Sequence, residues 1–340
     1  VREKQFTRRR FLCASLLSLA GVSLMNCTTP PVNPAVVIRT VLGDIAPDAL
    51  GAALPHEHVM CDFIGADQTS PSRWNRDDVA QVMLPYLQEV AAQGVSAFID
   101  CSPAFLGRDV TLLQRLTRVS GLHILSNTGW YKAPYLPERA FTSSAEAIAE
   151  EWIAEARKGI DGTAVRPGFI KIAVNPGALE PVQRTIVQAA ALTHLATDLT
   201  VACHTGELQA AHKSLDLIEA RGMDPRRFIV VHADQIADWA GHEALFKRGA
   251  WLEYDALGTR PLEQDLAIIR RALDGGYAAQ VMLSQDAGWY NVGEEGGGKV
   301  RPYSGLYGTI LPALREQCMS DEVITQLTVT NPAKAFAVRA

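Results

Sequence analysis

Eight short β-rich runs, alternating with stretches of helical character, constrain this chain more than any other feature. The runs fall at 52–59, 97–101, 122–127, 168–173, 200–204, 228–232, 251–254 and 280–285, and the clearest helical stretches at 77–93, 143–158, 181–195, 208–221 and 262–273. A strand followed by a helix, repeated eight times, predicts an α/β fold of the (β/α)8 TIM-barrel type, with an open doubly wound sheet as the competing arrangement. The barrel is preferred because six side chains suited to metal chemistry, His56, His58, Lys171, His204, His232 and Asp286, fall in or at the ends of runs one, four, five, six and eight. Only a closed ring brings those ends to one point.

In Leu54-Pro55-His56-Glu57-His58-Val59 the period of two along a strand points both imidazoles one way and Glu57 the other. Imidazole and carboxylate suit zinc and related divalent ions. Lys171 is the odd member, since an ammonium cannot bind a cation: within such a cluster it must be neutral or modified into an anion. His123, His194, His212 and His242 lie on the third run or on helices and are read as non-ligands.

The first thirty or so residues read as an address label. Thr7-Arg8-Arg9-Arg10-Phe11-Leu12 resembles a twin-arginine export signal, and the apolar run 11–24 is too short for an ordinary membrane span. Leu24-Met25-Asn26-Cys27 is similar to a lipoprotein cleavage box. Acylation of Cys27 therefore stands beside simple cleavage and retention as an uncleaved anchor, and Asn26 departs from the small residue expected there. The expected organisation is a signal segment and tether over 1–34 and one catalytic domain over 35–340, in a periplasmic or lipid-anchored protein. Export in the folded state would let metal ions load beforehand.

Net charge is −5, although the first 26 residues are basic, so the body is acidic and carries no basic stripe. That excludes nucleic acid as a partner and favours a small-molecule substrate. Membrane contact is expected only through the signal segment or a lipid anchor, and a homodimer is left open. Cys61, Cys101, Cys203 and Cys318 show no CxxC spacing and read as buried free thiols.

Pro55-His56-Glu57-His58-Val59, Phe169-Ile170-Lys171-Ile172-Ala173, Cys203-His204-Thr205-Gly206, Val231-His232-Ala233-Asp234 and Leu283-Ser284-Gln285-Asp286 occur in the order seen in the phosphotriesterase family of the amidohydrolase superfamily, which the chain resembles from about Val41 to Phe336. The resemblance implies a binuclear hydrolase acting on phosphotriester, lactone or carboxyl ester bonds. His56, His58 and Asp286 would hold the more buried of two divalent ions, with zinc the first choice, and His204 and His232 the more exposed one. Lys171, carboxylated, would bridge them together with the attacking hydroxide. Asp286 would accept the nucleophile's proton, and Asp234 would orient a ligand or extend the proton route. Phosphotriesterase proper carries a relay histidine at the end of strand seven, where this chain has Tyr254 and Asp255, so Asp255 becomes a substitute in the relay or at the pocket.

Specificity is expected in the loops above the barrel, with Trp130, Tyr131, Trp289 and Tyr290 walling a leaving-group pocket and the glycine-rich stretch 293–298 serving as a mobile lid. Packing against the rim is the alternative for these aromatics. Two rival functions remain. His204-Thr205-Gly206-Glu207 resembles the fifth strand of barrel deaminases, in which a glutamate is the acid and one zinc suffices. An exported, non-catalytic binding protein is the other.

Overall fold

The computed structural model describes residues 36–340, so the signal segment, the tether and Cys27 lie outside the described residues. All eight expected strands form: β1 (Ala53–Glu57), β2 (Ala97–Asp100), β3 (His123–Leu125, continued after Ser126 by Asn127–Thr128), β4 (Phe169–Ala173), β5 (Val201–His204), β6 (Phe228–Val231), β7 (Trp251–Tyr254) and β8 (Val281–Leu283). Each pairs in parallel with the next, and the break at Ser126 lets β3 pair with β2 through its first segment and with β4 through its second. The structure is a TIM barrel.

Alternation along the strands divides the core into two layers. Ala53, Ala97, Ile99, Phe169, Ala202, Ile229, Val231, Trp251 and Met282 turn into the barrel, where Ile38 and Phe336 join them as a floor. Leu54, Phe98, Ile170, Cys203, Val230, Leu252 and Leu283 turn outward against the helices. Those helices are α1 (Arg76–Ala92), α2 (Val110–Ser120), α3 (Ala145–Lys158), α4 (Pro181–Thr197), α5 (Leu208–Ala220), α6 (Trp239–Lys247), α7 (Leu262–Asp274) and α8 (Leu311–Glu316). Their starts follow side-chain chemistry: Asn75 accepts from the Asp77 N–H at 2.8 Å, and Asp109 from that of Leu112 at 3.0 Å. Among the described residues no helix is long and apolar enough to cross a membrane. Three cysteines are buried and free as expected; Cys318 is instead exposed, because it lies in the turn after α8.

Closure of β8 on β1 depends on Glu57. Its fully buried carboxyl accepts from the Ser284 hydroxyl at 2.8 Å and from the main-chain N–H groups of Gln285 at 3.2 Å and Ala287 at 2.6 Å. The main chain completes the seam, with Asp286 donating to the His56 carbonyl and His58 to that of Ala287, both at 3.1 Å. Glu57→Ala leaves the main-chain N–H groups of Gln285 and Ala287 buried without an acceptor, at about 1–3 kcal/mol each, while the Ser284 hydroxyl retains the His56 carbonyl at 3.1 Å. Its urea midpoint is expected to fall by an amount equivalent to roughly 3 kcal/mol, with partial recovery in Glu57→Gln; an unchanged midpoint in the alanine variant refutes this account of closure.

Candidate metal centre

All six side chains singled out in the sequence line one cleft of about 140 Å³ at the C-terminal mouth of the barrel. They arrive by different routes. Lys171 and His204 follow the inward residues Phe169 and Ala202 by two, as alternation requires. His56 does not: with Ala53 inward it falls out of phase, and a slip of register between Leu54 and Glu57 restores it to the interior. His232 follows the inward Val231 and would face the helices, but its left-handed backbone (φ 60°, ψ 33°) swings the ring into the cleft. Asp286, at φ 50°, is placed the same way beyond β8. Close approach matters at Gly129, where a Cβ would stand 2.2 Å from the Lys171 carbonyl oxygen and φ is +109°.

The imidazoles are held from behind. Asp255 accepts from His232 Nδ1 at 2.6 Å and from the His232 main-chain N–H at 3.0 Å, and stands 3.1 Å from His56 Nδ1; Glu253 Oε2 is 2.9 Å from the same His56 nitrogen. Ser102 Oγ meets His58 Nδ1 at 2.9 Å. The Nε2 atoms are thereby left to the cleft. Those of His58 and His56 lie 3.1 and 3.6 Å from Asp286 Oδ1, and Lys171 Nζ lies 3.4 Å from His56 Nε2. His232 Nε2 is 2.7 Å from His204 Nδ1, which also meets the Tyr131 hydroxyl at 2.8 Å.

Electrostatics favour ligation. Burial and the nearby Lys171 push the His56 imidazole down to about 3, and burial with the neighbouring His232 and Lys132 holds His204 well below the usual histidine range, so both rings are neutral. Burial would also lower His232, but the Asp255 carboxylate outweighs it and raises that imidazole. Enclosure would raise Asp286, yet the His58 hydrogen bond and the surrounding imidazoles keep it ionised, well below the carboxylate range. His56, His58 and Asp286 offer ligand atoms within 4.8 Å of one another, as do His56, His232 and Asp255. The hydrogen bonds above account for the second group. The first, with Lys171, His204 and His232 beside it, is a donor set that fits divalent cations.

Several expected site residues lie elsewhere. Asp234 touches no imidazole: its Oδ2 accepts from the Ala256 N–H at 3.0 Å and from Arg260 Nη2 at 2.5 Å. Burial and the charge of Asp255, against Arg260, raise its carboxyl to about 6. The orienting role expected of it falls to Asp255, which is fully buried behind the rings and is no part of the pocket wall. Trp130 is buried outside the cleft, edge-on to Trp152 at 5.6 Å and beneath Arg139 at 4.8 Å. Tyr290 pairs with Met60 and lies over Gly297, the one buried residue of the glycine-rich stretch 293–298, in which Glu295–Gly297 form a 3-10 turn. Tyr131 and Trp289 do wall the cleft, joined by Phe63, Leu106 and Cys61.

Sequence reasoning missed Lys132, whose Nζ is 2.9 Å from His204 Nε2, and Ser102 and Glu253. Glu253 alone had a signal, since it falls between the inward positions Trp251 and Asp255. The histidines read as non-ligands stay off the cleft: His194 bonds the Leu199 carbonyl, His242 the Ile236 carbonyl and Tyr254 hydroxyl, and His212 Arg248, while His123 opens β3.

Comparison with known proteins agrees with this geometry. The sequence model of the phosphotriesterase family matches residues 36–336. The phosphotriesterase homology protein of Escherichia coli is 27% identical over 293 residues, covering 85% of this chain and 99% of its own length. The aryldialkylphosphatase of Saccharolobus solfataricus is 24% identical over 304 residues, with coverage of 85% and 95%. Among solved structures, a triple mutant of an organophosphorus hydrolase from Deinococcus radiodurans superimposes with a TM-score of 0.78 at 28% identity, covering 88% of this chain and 97% of that one. The chain whose barrel mouth gathers these six side chains belongs to the phosphotriesterase family.

Proposed function

We propose that this phosphotriesterase-family hydrolase is a two-metal enzyme that cleaves ester bonds, with lactones and carboxyl esters ahead of phosphotriesters. The observation that carries the reading is the convergence of three Nε2 nitrogens, Asp286 and Lys171 on one cleft while the Nδ1 nitrogens of His56, His58 and His232 are engaged from behind. His56, His58 and Asp286 would hold one ion, His204 and His232 the other, and Lys171, carboxylated, would bridge them; zinc is the first choice. Bound there, such ions supply Lewis acidity toward an ester oxygen and acidify water.

The chain's own groups do the rest. Asp286 Oδ1, ionised and facing the cleft, is placed to take a proton from the attacking water. Asp255 fixes the tautomer and direction of His56 and His232. Trp289 and Phe63, 5.6 Å apart and edge to face, wall the side where an apolar leaving group would sit and keep water from it. The hydroxyl of Tyr131, beside His204, is in reach of a substrate oxygen.

The end of β7 supports the preference among substrates. Tyr254 faces outward with its hydroxyl 3.0 Å from His242, and Asp255 is committed to the imidazoles, so no group there is free to relay protons for a phosphotriester. The deaminase reading loses its acid. Glu207 caps α5, accepting from Gln209 at 2.8 Å and from Ala210 and Gly177 at 2.9 Å. Export by the twin-arginine route to the periplasm completes the proposal and rests on the sequence alone.

Lys171→Ala is expected to lower bound metal below two ions per chain and to abolish turnover of γ-butyrolactone, aryl acetates and paraoxon. Wild-type metal content and rate in that variant would overturn the reading. A second expectation concerns pH. A raised His232 pKa means that its proton competes with metal, so zinc affinity of the stripped protein should weaken as pH falls through the neutral region. Removing the carboxylate in Asp255→Asn lowers that pKa and should move the fall-off to more acidic pH, even though the loss of orientation weakens binding overall. Calorimetric titrations across pH 5.5–8, about the range in which histidine titrates, check this; a fall-off at the same pH in both proteins contradicts it.

A further inference from the structure

The N-terminal end of the barrel, remote from the candidate centre, holds a group that the proposed reaction does not use. Arg39, on the strand Val36–Thr40, has 7% of its surface exposed, and its Nε and Nη1 are buried without a hydrogen-bond partner among the described residues. It lines a cavity of about 400 Å³ with Arg157, Arg166 and Arg339, beside residues 195–198 at the C-terminal end of α4. Ala340 also lines it, and the side-chain carboxylates of Asp44 and Asp198 are engaged by other arginines. Asp44 takes Arg166 at 2.6 Å, and Asp198 accepts from the Arg339 main-chain N–H at 2.9 Å and its Nη2 at 3.3 Å, with Arg227 at 3.9 Å.

The balance of charge is therefore unfavourable as it stands. Burial and then the positive charge of Arg166 lower the Arg39 pKa, outweighing the pull of Asp44 and Asp198. A guanidinium keeps its proton under all ordinary conditions, so a bound anion would relieve both the unfavourable charge and the unpartnered N–H donors. Compensation of a helix dipole explains Arg157, in the last turn of α3. It does not explain Arg39, which sits on a strand.

We propose that this cavity binds a phosphate-type oxyanion, with Arg39 at its base and Arg157 and Arg166 at its walls. Guanidinium groups match tetrahedral oxyanions through paired N–H donors. The space exceeds one phosphate ion, so the ligand is a phosphate ester, either a free metabolite or an anionic lipid headgroup. This inference is independent of the reaction at the other end of the barrel.

The test uses the full-length, metal-loaded protein. Thermal midpoints are recorded with inorganic phosphate against sodium chloride of equal ionic strength, and co-sedimentation is measured with phosphatidylcholine vesicles with and without phosphatidylglycerol. Phosphate should raise the midpoint in a saturable manner, and Arg39→Gln should weaken binding by at least about tenfold. Sedimentation with phosphatidylglycerol vesicles that phosphate reverses assigns a lipid headgroup; saturable phosphate binding without sedimentation assigns a free ester. Should Arg39→Gln fail to fold, the double variant Arg157→Gln/Arg166→Gln, altered at the cavity walls, carries the same expectation. An equal phosphate shift in the wild type and these variants would place the effect at the metals or in general salt action and overturn the proposal, as would a wild type that responds to neither probe.

Discussion

Everything at the mouth of this barrel depends on the seam between its first and last strands. Six groups contributed by five strand ends can share one cleft only if β8 returns to β1, and the seam is made by a buried carboxyl that serves both sides. Glu57 belongs to β1 and takes its hydrogen bonds from Ser284, Gln285 and Ala287, which surround Asp286. The residue between two candidate ligands at the end of β1 therefore positions a third just beyond β8. Fold and site are coupled through that contact, because a shift of one strand in register would separate Asp286 from His56 and His58 together.

Strand and helix order was legible because alternation and β-branched runs are local properties, and all eight strands appear where apolar patterning places them. Convergence of the six ligand candidates was legible for the same reason, given a closed ring. The routes by which they converge were not. A register slip before His56 and left-handed backbones at His232 and Asp286 break the period of two, and such features reflect tertiary packing that no local pattern records. Asp234 and Asp255 illustrate the consequence. Counted along the chain, Asp234 is the neighbour of His232; in space Arg260 and Ala256 hold it, and the carboxylate behind His232 comes from the next strand. The loop aromatics were the least legible, since Trp130 and Tyr131 are adjacent in sequence yet one is packed under Arg139 and the other faces the cleft.

The interior of the barrel is divided by height. Its lower half is an apolar plug formed by Ile38, Ile99, Phe169, Ile229, Met282 and Phe336, and its upper half is a ring of ionisable groups that opens to water only at the cleft, through Asp286 and His204. Lys171, His56, Glu253 and Asp255 are each at most 1% exposed. Burial and the adjacent Asp255 hold the Glu253 carboxyl well above its usual range, and its Oε1 has no hydrogen-bond partner among the described residues. An arrangement of that kind contributes little to folding, because desolvation of charged groups offsets most of their mutual attraction.

Such a layer makes physical sense as a preorganised shell. Two carboxyl groups from one strand reach the back of the same imidazole, so the ring is fixed from below and cannot turn its Nε2 away from the cleft. Cations added from above would then meet ligands already oriented and, at His56 and His204, already neutral. Little conformational entropy remains to be lost on binding, and the desolvation already spent in burying the ring is recovered as affinity. On this argument the polar upper half and the apolar lower half are complementary: the plug supplies the stability that lets the barrel tolerate a polar cluster that bound cations would stabilise.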